Sequence, residues 1–479
     1  MKKLNDYWKE IGILRSAQSL HYWDLETQMP SMGGAWRGEV LGYFAGKVHS
    51  VLTDDHYFNL LKSESSDENA KIALKDATKY RLLPQSFVEE MTKAQTESQI
   101  AWEKAKKQKD YNLFKPHLKK MIEMKKKYAA YINPNINSYD LLLDEFSPDL
   151  GQKEIDAVFT PMKDKLISLV KSYQSRNPKT WEVSIETQQK VCQKMIEWMG
   201  VNREQFVLLK STHPFTLTVH PTDVRLTTRY NEKEPLGSIL ATIHELGHAL
   251  YEAGLPAEKF GSPASEANGY DLHESQSRLW EVCFGHSKEF FDFLYQSFKD
   301  VDENSVKGLT AHDIYLMATE VSPSMIRVDA DPVTYGLHIM IRYEIEKKIF
   351  NENLSVDDLP KVWNQYYHDY LGIDPQNDAE GILQDSHWSA GSFGYFPSYL
   401  LGSMMAAQMY ATLQKKNPKL QENILKGEMK TTIEWLQEEF HQHGRIKSSP
   451  QMIKDATGEP LHEKYWIDLL KNRFIEKNG

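Results

Sequence analysis

The stretch ATIHELGHALYEAG, residues 241–254, places two histidines four residues apart, with a glutamate directly after the first. Side chains four residues apart on an α-helix are neighbours, so His244 and His248 can both reach one metal ion. Neutral imidazole nitrogens suit zinc, and Glu245 lies where a general base for a metal-activated water is needed. The pattern predicts a metal centre with its catalytic base. The alternative is an ordinary helix with two hydrogen-bonded histidines.

A third protein ligand has to come from outside this motif. Glu252 lies about 12 Å along the helix axis from His244, which is too far for metal bonds of about 2 Å. We therefore expect the ligand on a second helix. The segment DLHESQSRLWEVCFG, residues 271–285, offers Glu274 at the head of an apolar-periodic run. Two further glutamates compete, and spacing alone does not choose among them: Glu266 and Glu281.

Two neighbouring elements are expected to position the motif. Apolar residues recur at helical spacing from Leu236 to Ala253, and Gly254 follows as a stop, which predicts a helix over 236–253. Upstream, FTLTVHPTDVRLTTRY at 215–230 alternates apolar and polar residues and predicts a two-stranded hairpin around HPTD. The hairpin ends a few residues before the motif helix, so it should lie beside the metal site.

Helical periodicity dominates the rest of the chain. It predicts long helices over 153–175 and 333–350, the second starting well because Asp331 can cap it and Pro332 has no first-turn donor to lose. We predict a mainly α fold: one large helical body with a small β-hairpin or sheet beside the metal site. No repeat or linker divides the sequence, so residues 1–479 are interpreted as a single catalytic domain.

Composition excludes several classes of protein. The 479 residues are 41 % hydrophobic and 26 % charged, with a net charge of −10, which argues against disorder and against a nucleic-acid partner. No stretch is long and apolar enough for a membrane span, and the N-terminus lacks the apolar run of a signal peptide. Only two cysteines occur, Cys192 and Cys283, too few for a disulfide framework. We expect a cytoplasmic protein with no membrane partner.

Six short signatures occur in a fixed order along the chain: HPF at 213–215, DVRLT at 223–227, HELGH at 244–248, HESQ at 273–276, IRVDAD at 326–331 and GILQDSHW at 381–388. With them the sequence resembles the thermostable (Taq-type) metallocarboxypeptidases over nearly its whole length. The resemblance implies a grooved helical fold related to neurolysin-like peptidases, one divalent metal ion per chain, and homodimers. It also implies Glu274 as the third ligand, and release of single amino acids from peptide C-termini with broad specificity.

A carboxypeptidase also needs a cation for the C-terminal carboxylate of its substrate, and arginine offers a bidentate fork for it. Arg225 and Arg327 lie within the signatures. Either can instead form a structural ion pair, which for Arg327 would involve Asp329 or Asp331.

Hydrolysis further requires a hydrogen-bond donor for the developing oxyanion. The candidates are polar residues on the 333–350 helix, Tyr335 and His338 with Arg342 beyond them, and tyrosines of the loop GSFGYFPSYLLG at 391–402, Tyr395 and Tyr399. His213 is a candidate donor to a substrate carbonyl or a brace for the hairpin, and the strand 215–219 can pair with an extended peptide.

Three functions remain open at this level: a metal-dependent carboxypeptidase, an oligoendopeptidase with the same metal centre, and a helical binding protein with a structural metal. Glu245 argues against the third, because a structural zinc site has no use for a carboxylate beside an open position. Zinc is the expected metal, although a His/His/Glu ligand set also accepts cobalt or manganese. The favoured function is a carboxypeptidase that acts on peptides.

Overall fold

The structure, a computed structural model, describes residues 2–475. Within that range the chain forms 20 α-helices and one three-stranded sheet. The helices before the sheet are α1 (Leu4–Thr27), α2 (Gly34–Leu52), α3 (Asp55–Ser63), α4 (Glu68–Leu82), α5 (Gln85–Gln108), α6 (Lys115–Ile132), α7 (Ser138–Asp144), α8 (Gln152–Ser172) and α9 (Ile185–Trp198). The prediction of a mainly helical fold is confirmed.

The sheet consists of β1 (Phe206–Lys210), β2 (Thr216–His220) and β3 (Asp223–Thr228) in the order β1-β3-β2. β2 and β3 form the predicted antiparallel hairpin, in which Leu217 lies opposite Arg225. β1 pairs parallel with β3 and was not expected, because the sequence of this short strand carries no clear alternation. The sheet packs against the helix that carries the HELGH motif, so it forms one wall beside that helix.

The second half of the chain is helical again. It comprises α10 (Pro235–Ala253), α11 (Tyr270–Arg278), α12 (Lys288–Val301), α13 (Ala311–Ala318), α14 (Pro332–Asn351), α15 (Leu359–Leu371), α16 (Phe396–Lys416), α17 (Leu420–Lys426), α18 (Lys430–Glu439), α19 (Ser449–Thr457) and α20 (Lys464–Leu470). None of the helices within residues 2–475 combines the length and the apolar character that crossing a membrane requires.

The predicted helix boundaries hold where capping chemistry was visible. α14 begins at Pro332, and the Asp331 carboxylate accepts the backbone N–H groups of Val333 and Thr334. α10 ends at Ala253, with Gly254 as its C-cap. The helix predicted over 153–175 ends earlier, at Ser172, because the next residue is already extended.

Two hydrophobic clusters hold the helices together. The larger runs from α5 to the C-terminal helices and surrounds α10, α11, α14 and α16, which carry the candidate site. The smaller joins α1, α3 and α4 through residues that include Leu4, Tyr57 and Leu61. α2 packs on α1 but has no fully buried residue, and it leaves Trp36 76 % exposed.

Candidate metal centre and substrate pocket

Three donor side chains converge between α10 and α11. The Nε2 atoms of His244 and His248 lie 3.8 and 3.6 Å from Oε2 of Glu274. Bonds of about 2.1 Å that meet at a tetrahedral angle put donor atoms about 3.4 Å apart, so the observed spacing fits a shared metal ion. This is the one cluster of potential metal ligands within residues 2–475, and its three donor atoms lie within 4.8 Å of one another.

The glycine of HELGH explains how the two helices come close enough. A Cβ added at Gly247 would lie 2.7 Å from the Gln276 carbonyl oxygen and 2.7 Å from Ser277 Cα. Both contacts are with the backbone of α11, which cannot rotate away as a side chain can. Gly247 therefore permits the helix contact that brings Glu274 to the two histidines.

The ring of His244 is oriented from behind by Glu281. Its Nδ1 lies 2.8 Å from Glu281 Oε2, which also accepts a hydrogen bond of 2.8 Å from Arg278. With Nδ1 engaged, Nε2 is the nitrogen directed toward Glu274. Glu281 competed with Glu274 as third ligand in the sequence, and the structure puts it on the other side of the imidazole. Such an outer carboxylate fixes the tautomer and orientation of a ligating histidine.

The electrostatics of the cluster favour a cation. Burial lowers the pKa of His244, but Glu274 and then the hydrogen-bonded Glu281 outweigh that effect and raise this pKa to about 9. Burial lowers the pKa of His248 well below its ordinary value, with His273 and His244 adding to the effect. Burial also raises the pKa of Glu281, yet Arg278 and His244 reverse this and hold it well below its usual range. The carboxylates thus create a negative potential at the donor atoms.

Glu245 lies beside the ligands and is only 7 % exposed. Its Oε2 accepts a hydrogen bond of 2.6 Å from the Thr216 hydroxyl of β2. Burial raises the pKa of Glu245 above its ordinary value, against the opposing effects of His244 and Thr216. Sequence reasoning missed Thr216, although its position directly after the HPF signature placed it in the first strand of the predicted hairpin.

A cavity of about 240 Å³ opens at this cluster. Its walls are formed by Phe215, Thr216, Glu245, His248, Tyr270, His273, Glu274, Tyr395, Ser398 and Tyr399. Tyr270, His273 and Ser398 were not singled out in the sequence, although His273 belongs to the HESQ signature. The His273 ring stacks on His248 with centroids 4.3 Å apart, and its Nε2 lies 3.0 Å from Glu252, the residue rejected as a ligand.

Two of the predicted tyrosines reach this cavity. The Tyr395 and Tyr399 rings contact each other with centroids 5.0 Å apart, and both side chains line the cavity beside Glu274. The Tyr399 hydroxyl lies 3.2 Å from Nε2 of His387, a residue of the GILQDSHW signature. Burial raises the pKa of both tyrosines, which keeps their hydroxyl groups protonated and able to donate.

Arg327 lies one layer behind the cavity wall. Its guanidinium donates to Asp385 Oδ1 at 2.9 and 3.0 Å and to the Tyr335 hydroxyl at 3.0 Å, and it lies 5.1 Å from the Tyr399 ring centroid. The other oxygen of Asp385 accepts from Arg342 at 2.7 Å. Asp329 and Asp331 were examples of a structural partner for Arg327, but the ion pair is formed with Asp385, 58 residues away.

Three further predicted residues do not line the cavity. Arg225 forms a two-pronged ion pair with Asp223 on the same strand, with distances of 2.8 and 2.9 Å. His338 is fully buried on α14, where its Nδ1 lies 3.0 Å from the Tyr367 hydroxyl. His213 is exposed in the loop before β2 and accepts a hydrogen bond from Ser211 through its carbonyl oxygen. The contacts of Arg225 and His338 fit structural roles, whereas the hydrogen bond of His213 involves only its backbone.

Comparison with known proteins agrees with this geometry. Residues 3–474 match the family described as Carboxypeptidase Taq (M32) metallopeptidase. The chain is 37 % identical to carboxypeptidase 1 of Bacillus subtilis (strain 168), covering 99 % of this chain and 97 % of that protein. It is 31 % identical to thermostable carboxypeptidase 1 of Pyrococcus furiosus, covering 99 % and 98 %.

The fold agrees as well. An M32 carboxypeptidase from Deinococcus radiodurans R1 matches with a TM-score of 0.95 at 29 % identity, over 98 % of each chain. The family match covers residues 3–474 and so includes the ligand cluster and the cavity beside it. The chain belongs to the Carboxypeptidase Taq (M32) metallopeptidase family, and it is a metallocarboxypeptidase.

Proposed function

We propose that this metallocarboxypeptidase removes single amino acids from the C-terminus of peptides, with His244, His248 and Glu274 holding one zinc ion and Glu245 acting as general base. The observation that carries the proposal is the convergence of the three donors next to a buried carboxylate, at the wall of a cavity. A structural metal site would not need this second carboxylate or an adjoining cavity.

The donor set supports zinc, since two imidazoles and one carboxylate are a common catalytic ligand set for it, with cobalt and manganese as chemically acceptable replacements. A divalent ion bound here supplies a Lewis acid that polarises the scissile carbonyl and acidifies a water molecule. Glu281 and Arg278 support the same site by holding His244 in the orientation that points Nε2 toward Glu274.

Glu245 performs the proton transfers in this proposal. Its carboxylate takes a proton from the attacking water and then delivers it to the amine of the leaving amino acid. Burial raises its pKa above the ordinary value, which is the direction that a general base requires. Thr216 keeps the carboxylate aimed into the cavity through the 2.6 Å hydrogen bond. Tyr395 and Tyr399, protonated at neutral pH, are the donors available for the developing oxyanion.

The C-terminal carboxylate of the substrate requires a positive charge near the cavity, and Arg327 is the best candidate. Arg327 and Arg342 share the single carboxylate of Asp385, so this trio carries one excess positive charge. Arg327 also contacts Tyr335 and Tyr399, which connects it to the cavity wall. Arg225 is a weaker candidate because Asp223 already neutralises it in a bidentate pair.

The cavity walls support broad specificity for unstructured peptides. Apart from the metal-site residues they present aromatic rings and hydroxyl groups, which contact side chains of many sizes. A cavity of about 240 Å³ offers room for the end of an extended peptide chain.

Three wider features are proposed with it. Residues 1–479 form one catalytic unit, in line with the single family match over 3–474. The enzyme is a homodimer, for which the exposed Trp36 and Tyr43 on α2 offer an apolar contact surface. It resides in the cytoplasm, where the free thiols of Cys192 and Cys283 stay reduced. Light scattering of the purified protein tests the dimer directly, since a mass equal to that of one chain excludes it.

The central experiment compares two dipeptides that differ only in a free or an amidated C-terminus, with and without a chelator. We expect rapid release of the last amino acid from the free form, slow cleavage of the amide, and loss of both activities on chelation. Elemental analysis should find about one divalent ion per chain. Equal cleavage of the free and amidated peptides would falsify the carboxylate-recognition part of the proposal, and activity of a metal-free sample would exclude the metal mechanism.

A further inference from the structure

Glu346 of α14 is a fully buried carboxyl group that accepts three hydrogen bonds. The Tyr139 hydroxyl donates to Oε2 at 2.7 Å, the backbone N–H of Gly394 donates to Oε2 at 2.8 Å, and the Trp388 indole donates to Oε1 at 2.7 Å. Among residues 2–475 no lysine, arginine or histidine forms an ion pair with it. Its partners are neutral and directional, so it fixes geometry.

The three donors belong to two elements that meet at α14. Tyr139 lies on α7, whereas Trp388 and Gly394 both lie in the last part of the connection between α15 and α16, which is called the 388–394 connection below. Gly394 has a left-handed backbone, with φ of +89°, and an added Cβ would lie 2.6 Å from the Leu142 carbonyl oxygen of α7. The connection therefore packs directly on α7, and Glu346 holds both.

Both elements lead to the cavity. Tyr395 directly follows Gly394 and lines the cavity. Phe146 follows α7, and its ring contacts Tyr395 with centroids 4.9 Å apart. The Phe146 carbonyl oxygen accepts the backbone N–H of Tyr270, another wall residue, at 2.7 Å. Glu346 is therefore connected to the tyrosine wall on both sides: directly through Gly394 and the next residue, Tyr395, and through α7, which leads from Tyr139 to Phe146.

A buried carboxyl group without an ion-pair partner is costly, and an apolar residue of similar size would not carry that cost. Burial raises the pKa of Glu346 to about 7, although the three donors and the positive charge of Arg342 oppose the shift. The side chain therefore does not increase stability through its charge. What it adds is the simultaneous hold on Tyr139, Trp388 and Gly394.

We propose that Glu346 is a positioning residue for the catalytic cavity: its carboxyl group fixes α7 and the 388–394 connection relative to each other and thereby sets the place of Tyr395. The inference rests on the proposed catalytic role of the cavity. Its role is indirect, since Glu346 touches neither the metal ligands nor the cavity.

The test is Glu346→Gln, alone and combined with Trp388→Phe. A glutamine presents one acceptor and one NH₂ group, so in either orientation one of the N–H donors, from Trp388 or from Gly394, loses its acceptor. In the double variant, Trp388→Phe has removed the indole N–H. The amide nitrogen introduced by Glu346→Gln can then face the Phe ring, while the amide oxygen accepts from Tyr139 and Gly394. We expect Glu346→Gln to lower kcat at least about tenfold in the wild-type background, because displacing a reacting group by a fraction of an ångström is enough for that. In the Trp388→Phe background, Glu346→Gln should lower kcat less than about threefold relative to the Trp388→Phe variant alone.

Tyr343→Phe is the matched control. It removes a buried hydroxyl from the same helix, whose hydrogen bond of 2.9 Å goes to Asp156 of α8 and not to the cavity. This variant should leave kcat within about twofold of wild type. An equal loss in both backgrounds, or no loss in either, overturns the proposal.

If Glu346→Gln does not fold, Tyr139→Phe replaces it, and a kcat loss no larger than that of Tyr343→Phe overturns the proposal. Tyr395→Phe measured alongside separates the two levels of inference. Unchanged kcat in Tyr395→Phe refutes a donor role for Tyr395. The positioning role of Glu346 is refuted separately, by an equal kcat loss from Glu346→Gln in both backgrounds or by no loss in either.

Discussion

Gly247→Ala offers a sharp test of how the metal site is assembled. The added Cβ would lie 2.7 Å from two backbone atoms of α11, whereas ordinary contacts begin at 3.4 Å. The helices must therefore separate by about 0.7 Å at this point, the difference between these two distances, since backbone atoms cannot rotate away. Ser277, one of the residues contacted, lies one turn after Glu274, so the shift moves the third ligand away from the histidines.

Metal bonds tolerate deviations of about 0.2 Å, several times less than this displacement. We expect the affinity for the divalent ion to fall at least about tenfold, as it does when the support of a ligand is disturbed. The metal-free protein should lose at most about 2 kcal/mol, because overpacking costs about 1–3 kcal/mol and alanine returns about 1 kcal/mol of helix propensity. Gly247→Ala should therefore weaken metal binding clearly while the metal-free protein remains folded.

Chelator competition on metal-depleted protein measures the affinity, and thermal unfolding of the same samples measures stability. Gly237→Ala is the control, because it lies on the same helix and an added Cβ there meets no atom within 4 Å. Gly237→Ala should bind metal as wild type does and be equally or more stable. The reasoning is refuted if Gly247→Ala binds metal within about twofold of wild type, or if both glycine variants lose affinity alike.

Three further predictions concern the side chains around the metal. Glu245→Gln should retain the metal but lose at least about a hundredfold in kcat, and near-normal turnover with full metal content would exclude the base role. Glu281→Gln should weaken metal binding about 10- to 100-fold in a chelator titration, because His244 loses the carboxylate that orients it; unchanged affinity would contradict this. Arg327→Ala should lower kcat/KM about ten- to a hundredfold for peptides with a free C-terminus, the value of a charged hydrogen bond, and hardly at all for amidated ones. Asp385 keeps Arg342 as partner in that variant, so a loss that is equal for both peptides would indicate a structural defect instead.

The sequence predicted what local chemistry determines. The α10 helix, its glycine stop and the capped start of α14 follow from residues within one or two turns, and the structure has them. The hairpin of β2 and β3 was visible because its strands are joined by a short turn. The strand β1 was missed because its parallel partner, β3, lies after β2 in the chain, and nothing local specifies that pairing.

Long-range partners could not be assigned for the same reason. An aspartate of its own signature was one possible partner for Arg327, but Asp331 caps α14 and the ion pair is formed with Asp385. Glu266 was a possible ligand by spacing, whereas in the fold it is bound by Arg15 and Arg445. The packing of the helices determines which of these side chains meet. That packing depends on contacts such as the one between Gly247 and α11, which cannot be recognised from the glycine alone.

The three glutamates around His244 illustrate how partners give identical side chains different tasks. Glu281 faces Arg278, which neutralises it, so it is left to orient the imidazole and not to bind the ion. Glu274 faces two imidazole nitrogens and forms no ion pair with a lysine or arginine of residues 2–475, so its charge is available to a cation. Glu245 faces a neutral hydroxyl in a buried place, which leaves it basic. Glu274 and Glu245 are thus the two carboxylates beside the donor atoms that form no ion pair with a lysine or arginine among residues 2–475, whereas Glu281 is paired with Arg278.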